Sequence, residues 1–295
     1  MEVIVVLSLL YTFTWAFLYH WCPTTLLVVL AFVYARSYYD GAENTGARQR
    51  DTLRRAVAKV AQVVAQHCFS YSVEYWDAAA FRALSPGING GAARPVIYSA
   101  QPHGLFALAS FFNLAQPAPV WPTVRAFTHR HVFALPLLRE LALALGARDP
   151  TEQNIRQALA NGESVYVVID GARGMLHRES TPQDAVKTAK RHDGLLRMAF
   201  DTGTLVCPVV HRGHDQVFCN RTPKWLNPAR EFLMDLLGYP FPTLWTMHCA
   251  PLRSRVLAPL DPRDHQAVEA FVEQYYKCVD RCQALDHIQG EQQAV

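Results

Sequence analysis

The chain is short of charge. Asp, Glu, Lys and Arg make up 18% of its 295 residues, against about 25% in an average soluble protein. Its net charge of +3 is too small and too dispersed to suggest nucleic acid as a partner, and fits an anionic membrane surface or an anionic substrate. The sequence has no GxSxG elbow, which argues against an α/β-hydrolase. It also lacks a Walker loop, a GxGxxG turn and an HExxH helix, so nucleotide-loop, dinucleotide and zincin chemistries have no foothold. Seven cysteines are scattered with no CxxC pair and no Cys/His cluster of zinc spacing. No metal is expected, and the thiols read as reduced, as in a cytosol-facing domain. In that setting the sequon Asn220-Arg221-Thr222 is a chance match. There are no internal repeats.

Apolar residues are plentiful, at 51% with 11% aromatic. Val3 to Ala35 contains no Asp, Glu, Lys or Arg. A single helix of that length would reach roughly 50 Å, while a bilayer core is about 30 Å thick. Pro23, within the polar break from His20 to Thr25, divides the run into Val3–Tyr19 and Leu26–Ala35. A membrane-embedded helical hairpin over residues 1–40 is therefore expected, with a single tilted span as the alternative. Glu2 and the length of the run argue against a cleaved signal peptide. Arg36, Arg48, Arg50, Arg54 and Arg55 follow it closely, which places the remainder on the cytoplasmic side.

Leu53, Ala56, Val57, Val60, Ala61 and Val64 share one face of a helix, with Arg54, Arg55 and Lys59 off that face. Such a helix either lies among lipid headgroups or docks on the domain core. Residues 41–94 thus read as an amphipathic interfacial helix and linker, 95–289 as the folded domain and 290–295 as a polar tail. Within the domain, Val96–Ala100, Val124–Thr128, Val165–Ile169 and Leu205–His211 read as strands. Helical patterns separate them. Asn227-Pro228 opens one helix that Gly238 closes, and Asp261-Pro262 opens the last. The alternation predicts an α/β domain with a mostly parallel sheet and flanking helices.

Three features carry chemistry. Gln101-Pro102-His103-Gly104 is a sharp turn between the strand Val96–Ala100 and a second apolar run expected to be helical. A histidine held there suits a base near neutral pH. Ile169-Asp170-Gly171-Ala172-Arg173-Gly174 is a second glycine turn, and Lys187 to Arg197 is a basic stretch. In this order, after an N-terminal hairpin, they resemble the diacylglycerol acyltransferase type 2 and monoacylglycerol acyltransferase family. Its His-Pro-His-Gly turn is similar to Gln101–Gly104. Its Pro-x-Leu-Arg-Glu segment is similar to Leu135-Pro136-Leu137-Leu138-Arg139-Glu140. Its Val-Val-Gly-Gly-Ala turn is similar to Val168-Ile169-Asp170-Gly171-Ala172, and its Val-Pro-Val strand to Val206-Cys207-Pro208-Val209. The chain departs from the pattern at Gln101, where the family usually has a histidine, at Asp170, and at Gly174, where many members have a glutamate.

The resemblance implies a glycerolipid-acyltransferase-like fold and acyl transfer from acyl-coenzyme A, a co-substrate rather than a cofactor, to the hydroxyl of a mono- or diacylglycerol. His103 is the implied base, and the free N–H groups of a helix starting near Gly104 would stabilise the oxyanion. Gln101, Pro102, Gly104, Asp170 and Gly171 are implied around the substrate, and Arg173, Lys187, Lys190 and Arg191 along the phosphates of coenzyme A. The implied setting is the endoplasmic reticulum membrane with the catalytic domain facing the cytosol, and lipid droplets besides. Homodimers occur in this family. The alternatives are a lysophospholipid acyltransferase, a wax-ester acyltransferase and a catalytically inactive lipid-binding relative. The phospholipid enzymes carry an aspartate five residues after their histidine, where this chain has Leu108.

Overall fold

The computed structural model describes residues 38–83, 94–102, 104, 106–116, 124–169, 193–237 and 243–293, with scattered positions from 14 to 36. The expected hairpin lies largely outside the described residues. Among the described residues, no helix is long and apolar enough to cross a membrane.

The elements run in the order α1 (Ala42–Thr45), α2 (Asp51–Phe69), β1 (Ser72–Tyr75), α3 (Ala78–Ala83), β2 (Val96–Gln101), α4 (Leu108–Leu114), β3 (Arg125–Phe127), α5 (Arg130–Ala134), α6 (Leu138–Ala144), α7 (Glu152–Ala160), β4 (Val165–Val168), α8 (Gly194–Thr202), β5 (Leu205–Arg212), α9 (His214–Val217), β6 (Phe218–Asn220), α10 (Asn227–Leu237), β7 (Trp245–Met247), β8 (Arg253–Val256) and α11 (Val268–Gln293). Six strands form one sheet in the order β1-β8-β5-β2-β4-β3, and β6 and β7 form a separate ribbon. Every pairing in the large sheet is parallel except β5 with β8. The mostly parallel α/β architecture is as the alternation predicts.

β2 sits at the centre and is buried along its whole length, as expected of a parallel strand covered on both faces. Its side chains alternate between two layers. Ile97 joins the core under α7, α8 and α11, with Ile155, Leu196, Phe271 and Tyr275. Val96, Tyr98 and Ala100 join the opposite layer with Phe81, Tyr166 and Cys207. On that second side α2 and α4 pack through Ala61, Ala65, Phe69 and Phe112.

Four details differ from the sequence reading. The apolar run after the turn is not helical from its start, because α4 begins only at Leu108. Asp261-Pro262 caps a 3-10 turn, Pro262–Asp264, and α11 starts later, at Val268. That helix extends to Gln293, into the stretch read as a tail. The segment read as interfacial helix and linker contributes β1 to the main sheet, so the folded unit begins ahead of residue 95. The amphipathic helix docks on the domain core, one of the two alternatives. α2 docks through Ala61, Ala65 and Phe69 and leaves Leu53, Val60, Val63 and Val64 exposed.

Candidate active site

The Gln101-Pro102-His103-Gly104 turn leaves the C-terminal end of the central strand. Its first peptide bond is cis, and Gly104 has φ +64°, a conformation glycine adopts without steric penalty. A Cβ at Gly104 would stand 2.8 Å from the Cβ of His214 and 3.3 Å from its Cγ. The buried His214 therefore presses directly on the turn. His103 lies outside the described residues. Gln101 is fully buried and turned away from the second layer: its Nε2 donates to the Tyr275 hydroxyl of α11 at 3.3 Å, beside the 2.7 Å Ser99–Tyr275 hydrogen bond. Its Oε1 has no hydrogen-bond partner among the described residues. Pro102 is partly buried. The seven-residue α4 starts four residues beyond Gly104, so its first-turn N–H groups are not at the turn as expected.

Asp170, Gly171, Arg173, Lys187, Lys190 and Arg191 also lie outside the described residues. Arg197, at the end of the basic stretch, pairs with Asp193 at 2.8 Å and Glu269 at 3.3 Å on the surface of α8. The Arg139-Glu140 pair has a structural task. Arg139 is 1% exposed and binds Asp40 at 3.0 Å, Glu43 at 2.8 Å and Glu140 at 3.2 Å. Its guanidinium also lies 5.1 Å from the Tyr38 ring centroid. Arg48 bridges Asp40 and Glu140. This cluster clamps the segment following the N-terminal apolar run onto α6.

A cavity of about 320 Å³ lies on the second layer, between the sheet and α2, α4 and α6. Val124, Ala126 and Thr128 line it from β3 and its flanks, and Tyr166 and Val168 from β4. Phe111, Leu138 and Leu141 line it too and remain exposed at 39–43%. Ala107, three residues after Gly104 in the sequence, lines it as well. Among the described lining residues only Arg54, Ser110, Thr128 and Tyr166 carry polar side chains.

Behind this wall runs a buried chain of polar groups. The Tyr71 hydroxyl donates to two groups that can only accept, Asn113 Oδ1 at 2.7 Å and the Ala109 carbonyl at 3.1 Å. Its 2.7 Å contact with Ser254 Oγ must then be an acceptance from the serine. With its proton so committed, Ser254 accepts from His211 Nδ1–H at 2.7 Å. The network thus places a proton on His211 Nδ1. Nε2 lies 2.9 Å from Ser110 Oγ and 3.1 Å from the Tyr166 hydroxyl. Asn113 Nδ2 donates to Tyr166 at 3.3 Å. Burial raises the pKa of both Tyr71 and Tyr166, so both phenols keep their protons and act as donors.

Ser110, Tyr166, His211, His214 and Ser254 were not singled out from the sequence. The one available signal was His211-Arg212-Gly213-His214, two imidazoles around a glycine at a strand end.

The sequence profile of the family described as diacylglycerol acyltransferase matches residues 19–248. The human diacylglycerol O-acyltransferase 2-like protein 6 is 27% identical over 164 residues, 50% of this chain and 48% of that protein. Diacylglycerol O-acyltransferase 1 of Schizosaccharomyces pombe is 24% identical over 70% of this chain and 56% of its own length. Human acyl-CoA wax alcohol acyltransferase 2 is 29% identical over 45% of each chain. The chain spans about half the length of these curated relatives. The crystal structure of the 1-acyl-sn-glycerophosphate acyltransferase PlsC from Thermotoga maritima superposes with a TM-score of 0.46 at 16% identity, covering 96% of this chain and 98% of that one.

Proposed function

Since the chain belongs to the diacylglycerol acyltransferase family, we propose that it moves a fatty acyl group from acyl-coenzyme A to the hydroxyl of a mono- or diacylglycerol at a membrane surface. The observation that carries this reading is the cavity. Its walls are overwhelmingly aliphatic and aromatic, and β3, β4 and Ala107, three residues after Gly104 in the sequence, contribute to them. An acyl chain buried there gains about 0.8 kcal/mol per methylene. That is enough to hold the thioester beside the turn while the chemistry proceeds.

His103, the residue before Gly104, takes the proton of the acceptor hydroxyl as that oxygen attacks the acyl carbon. A positioned base contributes about 10²–10⁴-fold. The coenzyme leaves as a thiolate, for which no further acid is needed. Arg54 on the cavity wall, with Arg173, Lys187, Lys190 and Arg191, supplies cations for the phosphates of the donor. The charge-free run Val3–Ala35 embeds in the endoplasmic reticulum membrane. The exposed Phe111, Leu138 and Leu141 at the cavity, with Leu135 and Leu137 beside them, face the lipid from the cytosolic side. The same anchoring suits lipid droplets.

The test uses membranes carrying the wild type or His103→Ala, labelled acyl-coenzyme A, and separate arms of mono- and diacylglycerol, long-chain alcohol and lysophosphatidic acid. The wild type is expected to esterify a glyceride, and His103→Ala to fall by about 10²-fold or more. Equal product from both variants removes His103 from the reaction. Product only in the alcohol or lysophosphatidic acid arm replaces the glyceride as acceptor.

A further inference from the structure

We infer that Ser110 is a covalent acyl-carrying site, with His211 as its base, inside the same cavity. The inference rests on the reading that this cavity takes an acyl chain. Three groups stand in the relation of nucleophile, base and orienting residue. Ser110 lies on the cavity wall with Oγ 2.9 Å from His211 Nε2. Ser254 holds Nδ1–H of the same ring at 2.7 Å. The hydrogen bonds of Tyr71 and Ser254 place a ring proton on Nδ1, and the neutral ring with its proton there is the form a serine base requires. Tyr166, also on the cavity wall, lies 3.1 Å from the same Nε2, and when Ser110 donates there the phenol proton is available to a carbonyl oxygen that gains charge. Buried polar groups in an apolar wall are costly to keep unless paired. Here the pairing creates an ordered nucleophile as well as satisfying the groups.

The reaction divides into two halves. Ser110 Oγ bonds to the acyl carbon and the carbon–sulfur bond breaks. The serine proton passes to His211 Nε2, and the coenzyme leaves as thiolate. The acceptor oxygen then bonds to the acyl carbon and gives its proton to His103. The bond from serine to the acyl group breaks, and His211 returns its proton to Ser110 Oγ. The proton on His103 passes to solvent, from which the coenzyme thiolate, already released, takes one.

The test uses the full chain in detergent with two probes, a long-chain alkyl fluorophosphonate and acyl-coenzyme A without acceptor, read by intact mass and peptide mapping. The fluorophosphonate is expected to add once, at Ser110, and not to the Ser110→Ala variant. His211→Gln should slow that addition by about 10²-fold or more. Acyl-coenzyme A alone should leave one acyl group on Ser110, and this species should accumulate in His103→Ala. With acceptor present, initial rates at varied donor and acceptor should give the parallel lines of a ping-pong reaction. Ser110→Cys guards against misfolding, since it should carry the acyl group as a thioester that hydroxylamine removes. No adduct at Ser110 in the wild type, or turnover in Ser110→Ala equal to the wild type, overturns the inference. Glyceride product without an adduct removes only the acyl-serine. An adduct without glyceride product removes only the transferase reading.

Discussion

Replacing Gly104 by alanine tests the geometry of the turn. Gly104 has φ +64° and His214 at its back, 2.8 Å from where a Cβ would be. Two penalties follow. The left-handed backbone costs an L-residue about 1–2 kcal/mol, and forced overpacking against a buried ring costs about 1–3 kcal/mol. Together they predict a loss of about 2–5 kcal/mol. Gly162 separates the two terms, because its φ is +75° and nothing lies within 4 Å of an added Cβ. Gly162→Ala should therefore lose only the backbone term, about 1–2 kcal/mol. His214→Gly removes the atoms that Gly104→Ala would meet, so in that background the alanine should cost no more than it does at position 162. Denaturant unfolding of the four variants in detergent, with His214→Gly as its own reference, gives the coupling energy directly. The reasoning fails if Gly104→Ala is no worse than Gly162→Ala, or if its penalty is the same with and without the His214 side chain.

Two further outcomes follow from charge. Arg139→Met removes the cation shared by Asp40, Glu43 and Glu140 and leaves Arg48 to hold Asp40 and Glu140. Breaking a buried pair costs about 3–5 kcal/mol, and because these carboxylates keep 25–37% exposure the loss should fall near the lower figure. An unchanged unfolding midpoint would mean the clamp on α6 does not stabilise the fold. At Asp261, the Arg94 fork holds the carboxyl below its ordinary pKa against the opposing effect of burial, and the Arg263 amide adds a second donor. A depressed folded pKa contributes stability above the unfolded value of about 3.9, and that contribution is lost as pH falls through the folded value. Asp261→Asn should thus lose about 1 kcal/mol at pH 7 and converge on the wild type in melts below about pH 4. A gap that persists undiminished at pH 3 would assign the loss to something other than this ion pair.

The strands legible in the sequence are the ones buried on both faces. β2 and β5 are continuous apolar runs because helices cover them above and below. β1 and β8 escaped because each is four residues long and carries charge: Glu74 pairs across the two strands with Arg255 at 2.7 Å. Nothing in Arg253-Ser254-Arg255-Val256 signals a strand until the partner is known. The start of α4 was misplaced because Leu105 to Ala109 is apolar enough for a helix, whereas the backbone leaves the turn through Gly104 at φ +64° and enters the helix only at Leu108. Of the chemistry, the turn was visible as a contiguous motif. The Ser110–His211–Ser254 group was not, since 101 residues separate the first pair and 43 the second. No periodicity or spacing rule spans such distances.

What brings His211 and Ser254 together is the single antiparallel pairing of the sheet. β5 and β8 align His211 with Ser254 and Val209 with Val256, so the serine points to the same layer as the imidazole, above Cys207 and Val209. A slip of one residue would turn every side chain of β8 to the other face. Arg255 or Arg253 would then stand where Ser254 is, and a guanidinium, which has no acceptor, cannot take the Nδ1–H of His211. The register is secured on both sides of the serine: Val256 is buried among Val96, Tyr98 and Val209, and Arg255, on the opposite face, is tied to Glu74. The hydrophobic packing and the surface ion pair of an inconspicuous strand thereby fix a ring proton on His211 Nδ1, and with it which nitrogen faces Ser110.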